Sequence, residues 1–102
     1  MIRIFLLALL FSSPLLAGEP STSRQAEIRN LLKHDCGSCH GLSLKGGLGP
    51  ALLAERLRAL PDDFLVETIQ KGRKGTAMPP WQPFLSIEET NWLVRTLLKQ
   101  QP

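Results

Sequence analysis

Cys36-Gly37-Ser38-Cys39-His40 governs how the rest of the chain is read. Two thiols three positions apart, on or just past the last turn of a helix, reach the two vinyl groups on one edge of a porphyrin and form thioethers. A Cys-x-x-Cys-His run is the attachment signature of a c-type haem. The adjacent histidine is carried beneath the ring plane, where its imidazole binds the iron. Cys36 and Cys39 are therefore expected to anchor one haem c covalently, with His40 as the first axial iron ligand.

Other readings of the five residues carry different requirements. A thioredoxin-like redox pair opens a helix after a strand, and no alternating apolar run precedes Cys36. A zinc cage needs four ligands, and His34 and His40 crowd the two cysteines too closely to complete a tetrahedron. A plain disulfide stays open for an exported chain with an even cysteine count.

Export is expected from residues 1–17: Arg3 gives a positive start, Ile4 to Phe11 a short apolar run, and Ala17 a small residue before the cut, with Gly18 as a competing site. The run is short for a membrane span, so a cleaved leader and no stable anchor are expected. Residues 18–102 then form one small domain whose apolar core is thin, and an attached porphyrin would act as core filler and crosslink. The whole chain carries 12 Lys and Arg against 9 acids, a balance of +3. Loss of Arg3 and two ionised propionates bring the holoprotein close to neutral, so the charge gives no argument for a nucleic-acid partner.

Helical spacing of Ala26, Ile28, Leu31 and Leu32 predicts a first helix over Ser23 to Cys36, with Thr22 and Gln25 as a capping box. Gly41 and Gly46-Gly47-Leu48-Gly49-Pro50 predict loop, and Ala51 to Leu57 a short helical piece. Pro61-Asp62-Asp63 starts a helix whose apolar stripe is Phe64, Leu65, Val66 and Ile69 and whose stop is Gly72. Arg73 to Leu85 reads as an irregular loop. Ser86 and Glu89 form a second capping box ahead of a final helix with Ile87, Leu93, Val94, Leu97 and Leu98 on one stripe.

Met78 is the only methionine after the leader and sits in Gly75-Thr76-Ala77-Met78-Pro79-Pro80-Trp81. Backbone stiffened by proline holds a thioether over the iron at little further entropic cost, so Met78 is expected as the second axial ligand. His34 lies on the proximal side, and Lys45, Lys71 and Lys74 are weaker rivals.

From Thr22 to Gln100 the chain resembles the class I cytochromes c, an all-α fold wrapped around one haem. The shared features are the haem motif, Gly49-Pro50 after it, Ile69 to Gly72 closing a middle helix, Met78-Pro79, and Leu85-Ser86 leading into the last helix. The resemblance implies that the Pro50 carbonyl orients His40 and that Trp81 packs near the methionine face of the haem. The first helix lacks the glycine and aromatic that many members use to cross the last helix. Leu31 and Leu32 against Trp92, Leu93 or Leu97 are expected there instead.

Asp35 to Gly41, Gly46 to Leu52 and Gly75 to Trp81 together resemble the small periplasmic cytochromes c associated with the haem c and haem d nitrite reductases of denitrifying bacteria. That resemblance implies a periplasmic setting in denitrification with electron delivery to nitrite reductase. Because His40 and Met78 would fill both axial sites, an electron carrier and not an enzyme is expected, and as a monomer. The alternatives are a factor in assembly or maturation of the reductase haem, and a haem protein that binds a small ligand in place of Met78. Lys45, Lys71, Arg73 and Lys74 flank the haem loops and are expected to form a docking patch for a redox partner.

Overall fold

Ser21 opens the first helix, its hydroxyl accepting the Arg24 N–H while its own backbone is still extended. The computed structural model describes residues 19–100, so the expected leader at 1–17 and the domain start at Gly18 lie outside the described residues. Thr22 was expected as the cap, but it is already helical. Gln25, instead of closing a capping box, donates through Nε2 to the Pro20 carbonyl at 3.0 Å.

Helix α1 spans Thr22–Leu31 and passes without a break into a π-helical turn, Leu32–Cys36, and then into α2, Gly37–His40. In the wide turn the Gly37 N–H donates to the Leu32 carbonyl, five residues back. One residue added to a turn rotates everything downstream by about 100° relative to the face before it. The helical path thus runs four residues beyond the expected end at Cys36, and carries His40 on its last turn.

The short helix α3 is Ala54–Leu57 and starts later than expected. The reason is a backbone bond from the Leu52 N–H to the Leu44 carbonyl, 2.9 Å, which holds the chain extended into the haem loop until Leu53. Helix α4, Asp62–Lys71, follows Pro61, with Asp62 and Asp63 facing the positive helix end and Gly72 ending it at φ 68°. Helix α5, Ile87–Leu98, has the complete capping box of Ser86 and Glu89 that the sequence predicts.

Among the described residues all regular structure is helical. Helix α5 is the spine: Leu93, Val94 and Leu97 are buried, and it packs against α4 and α3. Leu65, Leu57 and Leu85 close the same cluster from those sides. Ile87 does not join the stripe; it is exposed, in a shallow groove shared with Val66, Gln70 and Asn91.

Leu31 and Leu32 pack against the cluster that holds Trp92, Leu93 and Leu97, as expected, and Ile28 joins them. Ile28 is the fully buried residue of α1, while Leu31 and Leu32 are half-buried against the cluster. Polar contacts flank it: the Arg24 guanidinium pairs with Glu89, and Arg29 lies over the Trp92 ring at 5.1 Å. A cation over an aromatic face at an accessible site is worth about 0.5–1 kcal/mol. No helix among the described residues is long and apolar enough to cross a membrane.

Candidate haem site

His40 is placed by the loop that follows it. Gly46 N–H donates to the His40 carbonyl and Gly49 N–H to the Cys39 carbonyl, both at 2.8 Å, so the chain doubles back across the end of α2. That return sets the Pro50 carbonyl 2.7 Å from His40 Nδ1. A carbonyl only accepts, so Nδ1 carries the proton, and Nε2 of the neutral ring is left with its lone pair for a metal. The same hydrogen bond raises the basicity of the ring. This geometry is the one the family resemblance implies for Pro50.

Gly49 lies flat against the imidazole: a Cβ added there would stand 2.9 Å from both Nδ1 and Cε1. In the sequence this glycine reads as loop and as half of the Gly49-Pro50 pair. Its steric role was hidden because it depends on how the loop folds back over His40.

Cys36, Cys39, His40 and Met78 all line one cavity of about 410 Å³. Leu32, Phe64, Leu65, Ile69 and Leu93 supply apolar wall, and the size falls within the usual range for cofactor sites. Phe64, expected on the buried stripe of α4, is instead half exposed and faces this cavity. Neither cysteine is bridged to another, so the disulfide reading is not what the chain adopts. Burial first, with Asp35 beside it, pushes the Cys36 thiol up to about 11. A dithiol that exchanges disulfides needs a lowered thiol, so this environment runs against the thioredoxin-like reading. Among the described residues no three His, Cys, Asp or Glu side chains gather as a metal cage.

Met78 is half-buried and its loop is tied at both ends. Its carbonyl accepts the Arg73 N–H at 3.2 Å, and its own N–H donates to Thr76 Oγ1 at 3.3 Å. Downstream, the Trp81 N–H donates to the Ile69 carbonyl at 3.0 Å and the Gln82 N–H to the Gln70 carbonyl at 3.2 Å. Gly72 makes this return possible, since a Cβ there would fall 2.6 Å from the Pro79 carbonyl carbon. Trp81 lines the cavity and packs on Phe84, ring centroids 5.8 Å apart and planes at 58°.

Among the rivals to Met78, His34 is exposed on the π-helical turn, and Lys71 bonds Glu67 at 2.9 Å. Lys45 and Lys74 are exposed outside the cavity wall, whereas Arg73 is part of that wall. Of the four basic residues expected at a docking patch, Lys71 is paired with Glu67, and Lys45, Arg73 and Lys74 make no salt bridge among the described residues.

An imidazole, a thioether and two thiols around an apolar cavity form a donor set that fits haem c in every part. Residues 23–95 match the family model described as cytochrome C oxidase, cbb3-type, subunit III. Cytochrome c55X of Pseudomonas aeruginosa is 54% identical over 96 residues, covering 91% of this chain and 81% of its own. A solved c-type cytochrome NirC superposes with a TM-score of 0.76 at 54% identity, over 78% of this chain and 94% of that one. The solved dihydro-heme d1 dehydrogenase NirN in complex with DHE gives a TM-score of 0.65 at 34% identity, over 72% of this chain and 16% of its own. Fold and site define a c-type cytochrome, and the chain belongs to the cytochrome family that the subunit III model describes. Its cofactor is covalently bound haem c with iron.

Proposed function

We propose that this protein is a periplasmic, monomeric electron carrier of denitrification that delivers electrons to nitrite reductase, with residues 1–17 removed on export and residues 18–102 as the working domain. The observation that carries the reading is the placement of His40 and Met78 on the wall of one apolar cavity with both cysteines. Haem c supplies a one-electron ferric and ferrous couple when bound. Cys36 and Cys39 would hold the ring covalently, and His40 Nε2 and the Met78 sulfur would be the iron's two protein ligands. Two protein ligands would leave the iron no position for a substrate, and this is the ground for reading a carrier rather than an enzyme. A thioether ligand favours the ferrous state and so raises the potential. The apolar wall excludes water, which limits reorganisation on electron transfer.

Relatives carrying the names cytochrome c55X and NirC support the nitrite reductase setting. The test is stopped-flow mixing of the reduced holoprotein with purified nitrite reductase and nitrite. Oxidation of the cytochrome within reductase turnover is expected; a cytochrome that stays reduced would remove this partner.

A second reading rests on the likeness to part of a dihydro-heme d1 dehydrogenase. There the oxidised cytochrome takes electrons, one at a time, from the dehydrogenation that matures the reductase haem. Reduction of this cytochrome by that enzyme and its dihydro-haem, without transfer to nitrite reductase, would favour it.

A further inference from the structure

Two side chains from different helices grip the downstream end of the Met78 loop, and neither belongs to the cavity wall. Arg24 of α1 pairs through Nε with Glu89 of α5 and through Nη1 with Glu27 at 2.8 Å. Its remaining arm, Nη2, donates to the Phe84 carbonyl at 2.7 Å. Gln70 of α4 donates through Nε2 to the Leu85 carbonyl at 2.9 Å and to Thr90 Oγ1 at 2.5 Å. The fully buried Thr90 hydroxyl gives its own proton to the Ser86 carbonyl at 2.8 Å, so it can only accept from Gln70. That fixes which end of the Gln70 amide faces the loop.

We infer that Arg24 and Gln70 are positioning residues for Met78: by holding the Phe84 and Leu85 carbonyls they fix the far end of the loop that carries the thioether. The inference rests on the reading of Met78 as the second axial ligand. Its physical basis is the shortness of the path. Gln70 holds the loop twice, by its backbone carbonyl at Gln82 and by its side chain at Leu85, and the Pro79-Pro80 pair stiffens the span back to Met78. Release of either grip frees the strand that sets the sulfur position, while the haem motif, on the other side of the cavity, keeps its own hydrogen bonds to Gly46, Gly49 and Pro50.

The test uses oxidised holoprotein and imidazole as a competitor for the iron. Imidazole binds only when Met78 swings away, so its apparent affinity reports how readily the loop opens. Arg24→Lys retains a positive charge for Glu89 but cannot fork to Phe84. Gln70→Met retains length and apolar bulk but loses the donor. Each is expected to raise apparent imidazole affinity about fivefold, the equivalent of one lost hydrogen bond, with covalent haem retained. Met78→Ala marks the fully open limit. Affinities within about twofold of wild type, alongside lowered denaturation midpoints, would show that both residues only hold the helices together and would overturn the inference. Wild-type protein that binds imidazole as tightly as Met78→Ala would overturn the ligand reading itself, and the inference with it. Arg24→Lys lies on an accessible pair and decides the question if Gln70→Met does not accumulate.

Discussion

Gly49 presses against His40 so closely that a single added methyl would meet the imidazole at 2.9 Å, inside the range that real Cβ contacts avoid. The hydrogen bond from Nδ1 to the Pro50 carbonyl comes from the next residue of the same loop, so one short segment sets both the tilt and the tautomer of the ring. Gly49→Ala must therefore move the ring or the loop. Overpacking of this kind costs about 1–3 kcal/mol. Denaturant unfolding of the holoprotein is expected to show a loss in that range, with a shift in potential as the imidazole hydrogen bond is strained. Unchanged stability and potential would mean the loop yields freely and does not set the ligand.

Acid stability depends on Glu89. The Arg24 hydrogen bond first, then the Ser86 N–H, hold its carboxyl below the usual carboxylate range. A depressed folded value means that the stabilisation is present in full above the unfolded value of about 4.3 and is lost as pH falls through the folded value. Because both partners are partly open to water, the pair is worth about 1 kcal/mol. Glu89→Gln should lower stability by that amount at pH 7, and the gap from wild type should close at the acid end. A gap that persists undiminished below pH 3 would show that the effect is packing rather than charge.

Docking is expected to depend on salt through Lys45, Arg73 and Lys74, since Lys71 is offset by Glu67. Charges that steer a partner act over about 10 Å at 0.1 M ionic strength and are screened above it. Reversal of Arg73 and Lys74 to glutamate should slow transfer to the partner several-fold at low salt, in line with electrostatic steering, and Lys71→Glu should do less. Equal effects of all three, or rates flat with salt, would point to another face.

Most local signals in the sequence hold in the structure, although the Thr22 and Gln25 capping box gives way to a cap by Ser21. The haem motif, the Ser86 and Glu89 capping box, and Gly72 as a stop each depend on residues within one turn of each other, where side chain and backbone chemistry decide the outcome. The irregular loop that carries Met78 is legible for the same reason. The π-helical turn at Leu32–Cys36 has no marker in residue type. Arg24 and Glu89 stand 65 residues apart, and nothing local pairs them. Ile87 has the period of its stripe but lies at the first position of α5, beyond the buried face, and only packing reveals that.

The central claim is that the chain itself fills both axial positions, with His40 on one side and Met78 on the other. Its most direct measurement is the visible and near-infrared absorption of the oxidised holoprotein, wild type beside Met78→Ala. The account predicts a sulfur-to-iron charge-transfer band in wild type that disappears in Met78→Ala, with a lowered potential and an iron open to added ligands. A wild-type spectrum without that band, or a band that survives the substitution, would contradict it.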